Sequence, residues 1–113
     1  MKDLRNRVQL IGNLGMDPEV KKLENGRAIT KFSLATSQNY QNAQGDKVKD
    51  TQWHNLIIWG KLGETAGKYL KKGSEIAAEG RIVYRSYETK EGQTKYITEI
   101  VVSDFLMMSK KQA

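Results

Sequence analysis

Trp53 and Trp59 stand six residues apart in the segment Thr51-Gln52-Trp53-His54-Asn55-Leu56-Ile57-Ile58-Trp59-Gly60. In an extended strand an even spacing puts both rings on one face with Asn55 and Ile57, and turns Leu56 and Ile58 toward a core. Lys61 follows directly, so flat aromatic faces have a cation beside them. That is the chemistry of a stacking platform, in which rings take the π-faces of unpaired bases and ammonium groups hold the phosphates between them. Tyr40 in a polar stretch, Tyr69 ahead of Lys71 and Lys72, and Tyr87 beside Arg85 extend the same pairing of ring and cation.

Other chemistries lack their residues. His54 is the only histidine and there is no cysteine, which excludes thiol catalysis, thiolate zinc sites and disulfides together. No serine sits in a Gly-x-Ser-x-Gly elbow, and Gly12-Asn13-Leu14-Gly15 has neither the Gly-Lys-Ser/Thr ending of a phosphate loop nor the third glycine of a dinucleotide fingerprint. Asp46, Asp50, Glu64, Glu88 and Glu91 fall mainly in loops and at the helix start, where solvation explains them. Neither an enzyme nor a cofactor or metal site is expected.

The platform needs strands to hold it. At 113 residues, 38% hydrophobic and 28% charged, the chain has the size of one domain, expected over residues 1–108, with a short polar, basic tail at 109–113. Lysine and arginine number 19 against 13 acids, a formal charge of +6 that attracts polyanions. No apolar run approaches the roughly 20 residues of a membrane span, and no signal-like stretch follows the charged amino end, so a cytoplasmic setting is expected.

Alternation gives a first strand ending near Leu14, and Glu19 to Glu24 reads as a short return strand. Asn25-Gly26 signals a two-residue hairpin turn because both positions tolerate positive φ, and a second strand runs through Ala28, Thr30, Phe32 and Leu34. Residues 37–52 are polar and read as a long mobile hairpin loop before the tryptophan strand. Leu62, Ala66, Tyr69 and Leu70 then follow a helical period, weakened by Gly67. Alternation resumes in Ile76, Ala78, Ile82 and Tyr84, turns at Glu91-Gly92, and returns through Tyr96 to Val102, with an extension toward Met108. Three strands, one short helix and two strands is the layout of the OB-fold, an all-β five-stranded Greek-key barrel.

The segments Asn6-Arg7-Val8-Gln9-Leu10-Ile11-Gly12-Asn13-Leu14-Gly15-Met16-Asp17-Pro18-Glu19-Val20, Phe32-Ser33-Leu34-Ala35-Thr36-Ser37, Thr51 to Lys61, and Tyr69-Leu70-Lys71-Lys72-Gly73-Ser74 together resemble the bacterial single-stranded DNA-binding protein family. The likeness runs from about Arg5 to Val102. It implies an OB-fold that binds single-stranded DNA without strong sequence preference, wrapped around a homotetramer, in replication, recombination and repair, in the cytoplasm at the nucleoid. By position it implies base stacking for Trp53 and Trp59, and for Tyr40 and Tyr87, which fall where the family often carries tryptophan. It implies phosphate contacts for Lys61, Lys71, Lys72 and Arg85, and subunit contact for Asn6 and His54. The family typically continues into a disordered linker with an acidic tip that recruits replication and repair enzymes. The chain as given stops at Lys110-Lys111-Gln112-Ala113, as a trimmed or a tailless member would, so such recruitment is not expected of it. The alternative is a primosome-type or RNA-binding OB module acting mainly through protein contacts.

Overall fold

Alternating apolar residues make six strands and one helix in the computed structural model, which describes residues 4–108. The tail expected at 109–113 lies outside the described residues. In chain order these are β1 (Val8–Leu14), β2 (Glu19–Lys22), β3 (Ala28–Gln41), β4 (Lys47–Trp59), α1 (Gly60–Tyr69), β5 (Glu75–Glu88) and β6 (Thr94–Met107). The sheet runs β1-β5-β6-β4-β3-β2, and β1 also meets β3 through Asn13↔Ala35 and Leu14↔Leu34. Five strands therefore close into a barrel, with the four-residue β2 outside it along β3. The single parallel contact among the described residues, Leu56↔Ile100 and Ile57↔Val101, joins β4 to β6. This is the OB-fold expected, its helix lying between β4 and β5 once the short return strand is counted.

Closure brings backbones close. A Cβ on Gly12 would lie 2.1 Å from the Ala35 carbonyl oxygen, so β1 can cross onto β3 only through a residue without a side chain. Inside, Leu14, Phe32, Leu34, Leu56, Ile58, Ile76 and Ile100 form the core, and α1 adds Ala66 and Leu70. Each large aliphatic side chain buried this way is worth roughly 1.5 to 3 kcal/mol. Tyr69, expected on the helix's apolar stripe, faces solvent instead, because Leu62, Ala66 and Leu70 already supply the four-residue spacing that meets the barrel. Gly67 weakens the helix for a packing reason: a Cβ there would lie 2.2 Å from Val20 Cγ2, so β2 could not rest against α1.

Two further expectations change. Residues 37–52 are not a loop: the β3–β4 ladder continues through Ser37↔Thr51 to Gln41↔Lys47, leaving only a tight turn between its arms. Polar side chains on both faces hide strands that project past the barrel, where neither face has a core to meet. The Asn25-Gly26 turn is not the two-residue type. The Leu23 amide donates to Arg27 O and the Gly26 amide to Leu23 O, with φ +85° at Gly26 alone, which is a three-residue loop closed by a left-handed glycine. Asn42–Asp46 and Thr89–Gln93 repeat the same bonds around Gly45 and Gly92. Tyr84 shares the alternation of Ile82, as expected, but lies beyond the barrel's end and is exposed.

Candidate nucleic-acid interface

Alternation along β4 sets Trp53, Asn55, Ile57 and Trp59 on the outer face, opposite Ala35, Ser33, Lys31 and Ile29 of β3. Trp53 is 62% exposed and Trp59 37%. Support for Trp53 comes from the β1–β2 turn, where a Cβ on Gly15 would lie 2.3 Å from its Cζ3, so the ring edge occupies space that only a glycine leaves. Two residues on, the Asp17 carboxylate accepts the Lys72 amide at 2.8 Å. One turn thus carries Trp53 on one side and the exposed Lys71-Lys72 turn on the other. Trp59 is held differently: the Arg27 guanidinium carbon lies 4.8 Å from its ring centroid, a cation–π contact.

Beside Trp59 the outer face dips into a hollow of about 370 Å³ spanning β3, β4, β6 and β5. Ile57 shares the tryptophans' face yet is buried, and the half-buried Val83 and Val101 line the same hollow. Lys31, Arg81 and Arg85 line the same hollow, as does one carboxylate, Glu99. Arg85 Nε donates to Glu99 Oε1 at 2.7 Å and Nη2 to Oε2 at 2.8 Å. These hydrogen bonds hold the Glu99 carboxyl below the usual carboxylate range. Burial pushes it back up, while the charges of Arg85 and Lys31 lower it further. The same pairing raises Arg85 and keeps it charged.

The remaining expected residues fall into two groups. Lys61 is exposed in the first turn of α1, directly after Trp59, and Tyr69 is exposed at its far end. Tyr87 lies two residues beyond Arg85 on the same face of β5, and Asn55 reaches Thr98 O at 3.5 Å between Trp53 and Ile57. Tyr40 is not brought together with these. It pairs with Val48 in β4, which by alternation puts it on the opposite face of its hairpin from Trp53 and Trp59. Asn6 clamps the fold: its Nδ2 donates to Ile82 O and its Oδ1 accepts the Ile82 amide, each at 3.0 Å, pairing a side chain with β5 where β1 has not yet begun. His54 is half-buried and its Nε2 is hydrogen-bonded to Thr36 Oγ1 at 2.9 Å.

Sequence reasoning missed Lys31, Arg81, Arg27 and Glu99 here, and the exposed Tyr84 and Tyr96 on the other face of the β5–β6 arm. Lys31 was findable, being the charged outward position between Thr30 and Phe32. Among the described residues no group of three or more His, Cys, Asp or Glu could hold a metal ion, and no helix is long and apolar enough to cross a membrane.

A closed barrel of this topology, with exposed tryptophans on a sheet face rimmed by cations, falls in the class of oligonucleotide-binding barrels. The profile of the Single-strand binding protein family matches residues 5–108. The chain is 41% identical over 109 residues to Single-stranded DNA-binding protein 1 of Chlorobaculum tepidum, covering 96% of this chain and 67% of that one. It is 44% identical over 103 residues to the single-stranded DNA-binding protein of Xanthomonas campestris pv. campestris, covering 91% and 60%. For that of Neisseria meningitidis serogroup A the identity is 45% over 103 residues, covering 91% and 59%. The chain thus spans 59% to 67% of the length of these curated relatives. Among solved structures, the Plasmodium falciparum SSB in complex with ssDNA superimposes with a TM-score of 0.85 at 29% identity, over 96% of this chain and 99% of that one. The chain belongs to the single-strand binding protein family. Its relatives are named for binding single-stranded DNA and not for an enzymatic reaction.

Proposed function

We propose that this chain binds single-stranded DNA without sequence preference and protects it during replication, recombination and repair, in the cytoplasm at the nucleoid. Residues 1–108 act as one binding domain. The observation that carries this reading is the exposure of Trp53 and Trp59 on one sheet face with cations at its border: Lys31 and Arg81 line the hollow beside Trp59, and Lys61 is exposed in the turn of α1 that follows it. Single strands offer open π-faces and a charged backbone at once, whereas duplex bases are already stacked. Tyr69, Lys71, Lys72 and Tyr87 lengthen the track around the barrel. Tyr40 meets the strand where it crosses the β3–β4 arm.

The same reading takes the protein as a homotetramer. Ile11, Ala77 and Leu106 lie abreast on the outer face of β1, β5 and β6, with Ile11 51% and Leu106 66% exposed, and a second copy of the chain is the cover proposed for this apolar row. Asn6 contributes by clamping β5, one of the strands that present this row, and His54 contributes a further contact from β4. Titration of tryptophan fluorescence with long oligo(dT) at low and high salt, beside duplex and oligo(U) of equal length, tests the function. Quenching by the DNA single strand, weakening with salt, is the expected result. Preferential quenching by oligo(U) moves the chain to the RNA-binding modules, and no quenching with any strand moves it to those acting through protein contacts.

A further inference from the structure

By residue type Arg85 belongs with the cations expected to meet phosphate, yet its guanidinium is already engaged. Two parallel bonds at 2.7 and 2.8 Å tie it to Glu99, and Glu99 is 3% exposed. A carboxylate that deep is unfavourable unless paired, and withdrawing its partner leaves a buried charge uncompensated. Arg85 therefore resists leaving Glu99 for a phosphate. The Arg85 side chain is nevertheless 48% exposed and lines the hollow. Around it stand Ile57, Val83 and Val101, with Trp59 alongside and Lys31 and Arg81 at the border. An apolar recess with a neutral ion pair inside and free cations outside is suited to a base within and phosphates around it.

The geometry points to this hollow as a nucleobase subsite in which Glu99 is a positioning residue: it holds Arg85 in place as a stacking plane for one unpaired base and keeps its charge from the backbone. The inference rests on the single-strand reading above. Guanidinium planes stack on bases as aromatic rings do, and such a contact adds no counterion release. Lys31 and Arg81 take the flanking phosphates.

The two roles for Arg85 differ in salt dependence. Oligo(dT) affinity is measured across a salt series for the wild type, Lys31→Ala, Glu99→Gln and the double variant Arg85→Gln/Glu99→Gln, with thermal melts of each. The double variant replaces the ion pair by two amides that can still hydrogen-bond, which protects the fold. Lys31→Ala should flatten the slope of log K against log salt by about 0.7 per chain, the single-strand value for one phosphate contact. The double variant should bind several-fold more weakly with an unchanged slope, because a plane is lost but no phosphate contact. Glu99→Gln should steepen the slope by about 0.7, since the released arginine becomes such a contact. A double variant that flattens the slope as Lys31→Ala does, or a Glu99→Gln slope equal to wild type, overturns the pair's role while leaving single-strand binding intact. A wild type that binds no single strand overturns the function and this inference with it.

Discussion

Trp53 rests where Gly15 has no side chain, which makes a glycine on another strand's turn part of the support of the proposed stacking surface. A methyl group there overlaps the edge of a ring that is largely exposed and can swing away, so Gly15→Ala disturbs the platform and not the core. Trp53→Ala should cost about 1 to 3 kcal/mol of oligo(dT) affinity, and Gly15→Ala should approach that loss with little change in melting temperature. Fluorescence titration and calorimetry check both; wild-type affinity in Gly15→Ala detaches the glycine from the site. Glu99 gives a second residue-scale expectation. Its carboxyl titrates below the ordinary glutamate value of about 4.3, mainly because Arg85 hydrogen-bonds the charged form. The pair's stability is therefore fully present above that ordinary value and is lost as pH falls through it toward the lowered one. Glu99→Gln carries no such group, so its melting temperature should fall less steeply than that of wild type on acidification below pH 4 or so; parallel acid limbs in the two melts refute the coupling. The tryptophans were legible because a period-two count needs only near neighbours. The Arg85–Glu99 pair was not, since its members are 14 residues apart and meet through the β5–β6 register, where a one-residue slip sends Glu99 to the opposite face.

The hairpin arms show the same limit at the scale of elements. Between Ser37 and Gln52 no face is apolar, so no period announced a strand, yet the ladder continues because the barrel ends of β3 and β4 already stand in register and the Asn42–Asp46 turn closes them. What the sequence did carry was turn chemistry: Gly26, Gly45 and Gly92 each take the left-handed conformation, and all three hairpins were found, the first read one residue too short and the second far too long. The β3–β4 tip depends on its glycine without a core to compensate. A side chain at positive φ costs about 1 to 2 kcal/mol, so Gly45→Val should loosen the arm and leave the barrel unaffected. Hydrogen exchange should show faster exchange at Gln38 and Tyr40, whose amides face β4 in the ladder, with unchanged protection at Leu34 and Ile58, because the arm opens locally while the core opens only globally. Uniform acceleration along β3 instead makes arm and barrel one cooperative unit.

At the scale of the molecule, charge and the apolar row act together. On the homotetramer proposed above, four copies at +6 each bring +24 to one wrapped strand, and repulsion among them weakens beyond a Debye length of about 10 Å at 0.1 M salt. A tetramer therefore has two ways to lower its free energy as salt falls, binding more of the strand's phosphates per subunit or separating, and the row Ile11, Ala77 and Leu106 decides between them by the apolar area it buries. Lysines placed in that row add charge where burial requires none. Ile11→Lys/Leu106→Lys should sediment as a smaller species than wild type while keeping the barrel's far-ultraviolet circular dichroism. It should still quench with short oligo(dT), since Trp53 and Trp59 lie on the opposite part of the sheet circuit, along β3 and β4. Its occluded length per chain on long oligo(dT) should no longer change with salt, because one barrel alone has no neighbouring surface onto which the strand can pass. A double variant that sediments as wild type places self-association on another face, and a small species whose occluded length still shifts with salt shows that wrapping needs no second copy.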